Sequence, residues 1–421
     1  MKKKVFFDGT ESFWHPENRT GIQRVVREVC RRCESITPDG VEAVPVQFDG
    51  RQWGAYEVEV GFIYRSFVSA RIFRLYCHSM RRVARAKLKL NLFNLIALVK
   101  FIGGLSGSII GSTIAAVSKW SLRRSKPIQF SKGDILIALE YPWSRRDSIA
   151  YLKEKGVHYI AVIYDCVPLT HPEFYRRDVK AFGQFIDWTL SEAEGIMTIS
   201  AFSQREIESR RSATSGPWVD YFHLGADYLQ LPTTPPRTGL LNALARPCFL
   251  MVGTIAPHKN HTQVLDAMEV LWGAQIDAHL LIVGKVGWQA DVLLGRIANH
   301  PELNRRLFIY HDLDDAELGY AYQHSHALVA ASYVEGFGLP LVESLGRGLC
   351  VIASEIPVFR EIAARSVEFF PLGSAHDLAE ILRRNAISPK REITNWHWLN
   401  WDDSTRLLLD KVLQRTLTRL P

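Results

Sequence analysis

The chain has 421 residues, 47% of them apolar and 23% charged, which excludes a disordered or fibrous protein and is long enough for two domains of ordinary size. Six scattered cysteines exclude a disulfide framework and point to a reducing compartment. The net charge of +7 is unevenly placed: residues 60–133 hold 14 Lys/Arg and no Asp or Glu, while the remainder carries 37 Lys/Arg against 44 Asp/Glu.

In chain order, Met1-Lys2-Lys3-Lys4 runs into a short apolar strand at 5–7 without the apolar region of a signal peptide. Asp8-Gly9-Thr10 and a polar loop follow. Residues 20–29 then read as a helix, with Thr20 as N-cap and Ile22, Val25, Val26 and Val29 as its buried stripe. Gly21 opens that helix, where a backbone amide can approach a phosphate; an ordinary βα loop is the alternative. Cys30-Arg31-Arg32-Cys33 is a lone pair inside a helical pattern, with no second pair or His cluster to make it a metal or redox site. Residues 40–48 read as the next strand.

The basic stretch interrupts this rhythm. Arg81, Arg82, Arg85, Lys87 and Lys89 precede the apolar run 90–99, and 18 uncharged residues, 101–118, precede Lys119, Arg123, Arg124 and Lys126. Apolar helix faces flanked only by basic residues suit an anionic membrane surface. Gly103, Gly107, Gly111 and Ala115 form a small-residue stripe that permits close helix contact. A single span would split the strands of one domain across the bilayer, so a hairpin dipping into one leaflet is expected. A soluble helical subdomain with a basic exterior is the alternative. No nucleic-acid motif accompanies the charge.

After Gly133 come short apolar runs, 134–140, 159–165 and 195–200, each ending in polar residues, as buried parallel strands do. Ligands sit beyond the carboxyl ends of such strands, which draws attention to Tyr164, Asp165 and Ser200. The proline cluster within 231–247 reads as an interdomain linker. A second series follows: strand 248–253, a loop with Thr254 and Lys259, helix 262–272, then strands 279–284, 307–310, 326–332 and 349–354. Lys259 stands just before a helix, placed as a point charge for a diphosphate. Gly284 follows a strand in the same way. A last helix is expected over 396–413. Between strand 326–332 and helix 341–345 lies Ser332-Tyr333-Val334-Glu335-Gly336-Phe337-Gly338-Leu339-Pro340-Leu341-Val342-Glu343. This is a strand, a glycine loop and a helix with Pro340 at its first position, an arrangement that offers amides and partial positive charge to an anion. Spacing alone leaves open that Glu335 is a solvated loop residue and Glu343 only complements the helix dipole.

That string resembles the E-x7-E segment of retaining GT-B glycosyltransferases of the family-4 type, and the resemblance extends to nearly the whole chain except 60–133. It implies an α/β protein of two Rossmann-like domains facing a cleft, with the basic and apolar helical insertion in the first. The implied divisions are an acceptor domain over 1–236, a nucleotide-sugar domain over 237–392, and a terminal helix within 393–421 packing back on the first domain. By resemblance Glu335 contacts the donor sugar and Glu343 the ribose. Lys259 holds the diphosphate, and Gly21, Gly253, Thr254, Gly284, Gly336, Phe337, Gly338 and Leu339 line the donor. The family's diphosphate Arg is Thr254 here, a further Arg of some relatives is His258, and the His of a His-Asp pair is Tyr164. Asp165 is kept, either to orient an acceptor hydroxyl or to hold a helix N-terminus; His171 reads as a surface histidine.

The expected reaction moves a sugar, mannose or rhamnose by analogy with relatives sharing the Thr20–Arg24 start, from a nucleotide-sugar to a lipid-linked glycan in surface-polysaccharide or O-antigen assembly. Glu335, Lys259 and Asp165 are the catalytic candidates. No Asp-x-Asp metal motif stands at a strand end, and the resemblance implies an enzyme that needs no metal, so no metal or other cofactor is expected. The protein should act in the cytoplasm at the inner membrane face, with no nucleic-acid partner. A nucleotide-sugar epimerase, or a silent glycan-binding protein on the same fold, are the alternatives.

Overall fold

The computed structural model describes residues 2–15, 20–55, 127–142, 145–175, 179–211, 216–227, 236–363, 365–394 and 396–418. The expected membrane-facing stretch 81–126 and most of the proline cluster lie outside the described residues. Two compact units divide the chain, Met1–Tyr159 and Ile160–Pro421.

In the first unit, β1 (Lys3–Asp8), α1 (Thr10–Trp14), α2 (Gly21–Arg32), β2 (Val41–Phe48), β3 (Trp53–Ala55), β4 (Ile135–Ala138) and α3 (Arg146–Glu154) follow in order. β1 pairs parallel with β2 and β4, Val5 opposite Ala43 and Ile135; β3 pairs antiparallel with β2. Val5, Phe6, Phe7 and all of β4 are buried, because a parallel strand is covered on both faces. The expected cap of α2 is present, with the Gln23 side chain accepting from the Thr20 amide at 3.2 Å. Val25, Val26 and Val29 are buried as expected, whereas Ile22 is half-buried. Cys30 and Cys33 are buried and form no disulfide, and burial raises the Cys33 thiol well above its usual value, so Cys33 is not poised to react. Beyond β1 and β4, Arg145 is buried and donates to Asp8 Oδ2 at 3.1 Å and Glu11 Oε1 at 2.8 Å. Glu140 accepts from the Glu11 and Ser12 amides, and burial pushes its carboxyl up to about 7. This network fixes the loop at Asp8-Gly9-Thr10.

The elements from there on are β5 (His158–Ile163), α4 (Val167–Thr170), a 3-10 turn (Pro172–Phe174), α5 (Val179–Glu192), β6 (Gly195–Thr198), α6 (Ala201–Glu208), β7 (Trp218–Tyr221), α7 (Thr238–Ala243), β8 (Cys248–Val252), a 3-10 turn (Pro257–Lys259), α8 (His261–Gly273), β9 (His279–Val283), α9 (Asp291–Ala298), β10 (Leu307–Tyr310), α10 (Asp315–His324), β11 (Ala327–Ala330), α11 (Leu339–Gly346), β12 (Cys350–Ser354), α12 (Pro357–Ala363), β13 (Val367–Phe370), α13 (Ala375–Ile387) and α14 (Trp401–Leu417). The first sheet has the order β3-β2-β1-β4-β5-β6-β7 and the second β10-β9-β8-β11-β12-β13. Among the described residues the strands of the second sheet pair in parallel, and its core packs Phe249, Leu280, Ile282, Val329 and Ile352 against Val264, Met268, Leu271 and Leu378 of the helices.

Two boundaries differ from the sequence reading. Leu339 is the first residue of α11, so Pro340 is the second; its lack of an amide hydrogen is as harmless there, within the first turn. The last helix begins at Trp401, not 396, because Asn400 caps it by accepting from Asp403 N at 2.8 Å. Trp396 and Trp398 instead stack in the run before it, Trp398 Nε1 donating to Leu224 O at 2.8 Å. Lys411 and Arg415 of α14 both bind Asp220, at 2.8 and 2.9 Å. Among the described residues no helix is long and apolar enough to cross a membrane.

Candidate functional site

The site grows from the loops that leave β5, β8 and β11 at their carboxyl ends, all in the second unit. After β8, the 3-10 turn Pro257–Lys259 ends at Asn260 in the left-handed region, φ 54°, and this sharp turn presents Lys259 before α8 begins. After β11, Glu335 forms an ion pair with the Lys259 ammonium and accepts from Ser332 Oγ at 2.7 Å. The two paired side chains are only 21% and 16% exposed, so Glu335 is not a solvated loop residue. Burial opposes its ionisation, but the Lys259 charge and the hydrogen bonds from Lys259 and Ser332 together hold its carboxyl below the usual value.

Asp165, after β5, has the opposite balance. Burial pushes its carboxyl up to about 6, the Glu335 charge adds to that, and the Val167 amide and Lys259 oppose it. Its Oδ1 accepts from Val167 N at 3.0 Å, the first amide of α4, so the structure gives it the helix-holding role. His171 bonds its neighbour Thr170 and stacks on Phe174. Tyr164 is buried, and its carbonyl accepts from Ser203 Oγ at 3.2 Å.

The glycine loop is locked against these elements. A Cβ on Gly336 would stand 2.4 Å from the Tyr164 carbonyl oxygen. The Gly336 carbonyl accepts from Ser200 Oγ at 2.8 Å. Gly338 has φ +111°, and a side chain there would also meet Phe359 at 2.7 Å, so the turn into α11 needs glycine twice over. Phe337 is buried, with His223 and Trp398 ring centroids 6.0 and 5.9 Å away. No described residue accepts from the Phe337, Gly338 or Leu339 amides, which open the N-terminus of α11. Glu343, one turn into that helix, is buried and accepts from Tyr322 Oη at 2.8 Å.

The other donor candidates are divided. Gly253 N donates to Val283 O at 3.0 Å and Gly284 N to Tyr310 O at 2.9 Å, so these two amides serve the sheet and are not free to hold an anion. Gly253, Lys259, His261, Ser332, Glu335 and Gly338 border one small cavity. Thr254 lies beside it, its methyl against Gly287. Burial keeps His258 and His261 neutral, down to about 4 and about 3, with the Lys259 charge contributing; Lys259 is therefore the cation of this turn at neutral pH. Gly21 belongs to the other unit, as the exposed first residue of α2.

Ser200 was marked by its strand end, but Ser203, His223, Tyr322 and Glu361 were not. Glu361 accepts from the Ala201 and Phe202 amides at 2.8 Å each and pairs with His223 Nε2 at 2.9 Å. It thus holds the start of α6, whose Ser203, with Ser200, binds the glycine loop. These partners lie about 140 to 160 positions apart, and no local spacing announces them. Among the described residues no group of three or more His, Cys, Asp or Glu is placed to hold a metal ion. Asp314 caps α10, and Asp402 and Asp403 lie in the first turn of α14.

Residues 239–392 match the family described as glycosyl transferases group 1. The chain is 35% identical over 312 residues to the serotype-specific mannosyltransferase WbdA of Escherichia coli, a match covering 68% of this chain and 37% of WbdA. It is 24% identical over 254 residues to the O-antigen chain mannosyltransferase B of Escherichia coli, covering 57% of this chain and 66% of that protein. The chain therefore spans little more than a third of WbdA. Among solved structures, sucrose-phosphate synthase from Thermosynechococcus elongatus aligns with TM-score 0.60 at 15% identity, over 99% of this chain and 100% of that one. Anabaena Alr3699/HepE in complex with UDP and glucose aligns with TM-score 0.57 at 12% identity, over 99% and 98%. At these identities the likeness is one of fold.

Proposed function

We infer that this chain, which belongs to the glycosyl transferases group 1 family and has the GT-B fold of two Rossmann-like sheets, is a retaining glycosyltransferase that moves a mannosyl group from a nucleotide-sugar to a hydroxyl of a surface-polysaccharide glycan. The observation that carries this reading is the Lys259–Glu335 pair beside the amides that open α11. Glycosyl transfer separates an anionic diphosphate from a sugar that becomes cationic. Lys259 and the Phe337–Leu339 amides would stabilise the first, and the ionised Glu335 carboxylate the second. Glu343, buried on α11, would hold the ribose. Mannose is favoured over rhamnose because the relatives are named mannosyltransferases. The charge pattern of 81–126 supports a lipid-linked acceptor at an anionic, cytoplasmic membrane face. The transfer would run without a metal.

The test is thermal unfolding with GDP, UDP, dTDP and ADP in EDTA, followed by transfer assays with GDP-mannose and dTDP-rhamnose. A diphosphate at about 100 times its dissociation constant adds roughly 2.7 kcal/mol. A shift with GDP and transfer with retained anomeric configuration are expected. No shift with any diphosphate, or transfer that chelation abolishes, would overturn the reading. Glycan binding that survives Glu335→Ala in a chain that transfers nothing would make it a binding protein, and interconversion of free nucleotide-sugars would make it an epimerase.

A further inference from the structure

We propose that Trp288 and Tyr333 form a saccharide platform that binds the acceptor glycan beside the Lys259–Glu335 pair; this rests on the glycosyl-transfer reading above. Three large aromatic side chains are exposed among the described residues: Tyr151 at 57%, Trp288 at 39% and Tyr333 at 36%. Tyr151 lies on a helix of the first unit. The other two stand on the loops leaving β9 and β11, at the edge of the sheet where open parallel sheets bind ligands.

Both rings are held in place from one side. Trp288 Nε1 donates to the Phe174 carbonyl at 2.7 Å, and Gln289 Nε2 donates to the same oxygen at 3.1 Å. The indole lies nearly parallel to Tyr175 and His258, with centroids 5.0 and 5.4 Å away. Tyr175 and His258 are themselves 6.5 Å apart. Rings on opposite faces of an indole would be separated by roughly twice the ~3.5–4 Å contact distance, so these two share one face, and the indole keeps its 39% exposure. Tyr333 stacks on Phe174 at 5.3 Å, and its amide donates to the His258 carbonyl at 2.8 Å. The platform is thus tied to the residue before Lys259 and lies two residues from Glu335.

Chemistry selects the occupant. A pyranose presents a flat face of C–H groups rimmed by hydroxyls, which suits an exposed aromatic face. Trp288 and Tyr333 do not border the small cavity that Lys259 and Glu335 share with Gly253 and Gly338. A sugar transfer needs a second ligand besides the donor, the acceptor glycan, and the exposed rings are assigned to it. A nucleobase would also stack, and the test separates the two.

α-Mannotriose is titrated against the full chain and the variants Trp288→Ala, Tyr333→Ala and Trp288→Phe, with saturation-transfer NMR as readout. GDP-induced thermal shifts are measured in parallel. Each alanine variant should weaken mannotriose binding about tenfold, the worth of a lost aromatic contact. The GDP shift should stay unchanged, with the acceptor KM raised and kcat kept. Trp288→Phe, which keeps a ring but not the indole N–H, should recover most of the affinity. Unchanged affinity in both alanine variants would overturn the platform, as would a wild type that ignores mannotriose at millimolar concentration. Trp288→Phe falling as far as Trp288→Ala would assign the effect to the hydrogen bond. Loss of GDP binding along with the sugar would make the rings a base platform. If no diphosphate shifts the wild type while the sugar effects hold, the platform stands and the transfer reading fails.

Discussion

Replacing Lys259 by Ala removes the charge that opposes burial at Glu335. Breaking a buried ion pair from one side costs about 3–5 kcal/mol when the orphaned charge is cut off from water. Here the side chains are 21% and 16% exposed and Ser332 Oγ still donates, so about 2 kcal/mol is expected. For a unit of this size that lowers Tm by about 4–8 °C. The pH dependence fixes the cause. In the native chain the Glu335 pKa lies below 4.5, so the pair stabilises above that value and the contribution fades as pH falls through the folded pKa. Without Lys259, burial dominates and the folded pKa rises above the unfolded one, so ionisation becomes a penalty that grows as pH rises. The deficit should be full near about pH 8 and small near about pH 4. Adding Glu335→Gln should restore most of the lost stability, since a neutral amide needs no ammonium. Calorimetry of wild type, single and double variants at both pH values decides. A deficit that is equal at both ends, or that the second substitution leaves in place, refutes the argument.

Asp165→Asn keeps an oxygen for the Val167 amide and removes a carboxyl raised from 3.8 to about 6. That penalty applies above the folded pKa and disappears as pH falls below the unfolded one. The variant should therefore be more stable by about 1–3 kcal/mol near neutral pH and no more stable near about pH 4, measured by chemical unfolding. Gly336→Ala would force a Cβ to 2.4 Å from the Tyr164 carbonyl; a destabilisation of about 1–3 kcal/mol and loss of GDP-induced thermal shift are expected. Glu361→Ala strips two α6 amides and His223 of their acceptor, so Tm should fall, while Glu361→Gln, which still accepts hydrogen bonds, should fall by less.

How much was legible follows from what each feature depends on. The runs at 195–200, 279–284 and 349–354 read as strands because parallel strands are buried on both faces, which leaves an unbroken apolar signature. The Glu335 loop was legible because turning into α11 requires glycine at 338 and close packing requires it at 336, and backbone demands of that kind appear in the sequence. Lys259 and Glu335 could each be marked, but not their pairing, since 76 positions separate them. The Glu361–His223 clamp and the Trp288–Tyr175–His258 layer have no local period at all; they exist only once loops from different strands meet. Trp396 and Trp398 misled the reading of the last helix because aromatic anchors suit a helix and an extended packed run equally well, and only the Asn400 cap distinguishes them.

Asp165 is near enough to Glu335 for that charge to raise its pKa, yet the environments of the two carboxyls drive them apart. The Glu335 carboxyl is held down by an ammonium and a hydroxyl; the Asp165 carboxyl is driven up to about 6 by burial. Such a separation assigns different work to two similar groups. Glu335 stays ionised across the working range, so it serves as a fixed negative charge and not as a proton donor. Asp165 changes its protonation close to neutrality, at about pH 6, so it is the carboxyl of this pair able to take up a proton lost by an acceptor hydroxyl. On this argument a limb of the transfer rate near about pH 6 belongs to Asp165 and vanishes in Asp165→Asn, while loss of Glu335 lowers the rate at every pH. A limb that persists in Asp165→Asn would return that residue to its observed task of holding α4 and nothing more.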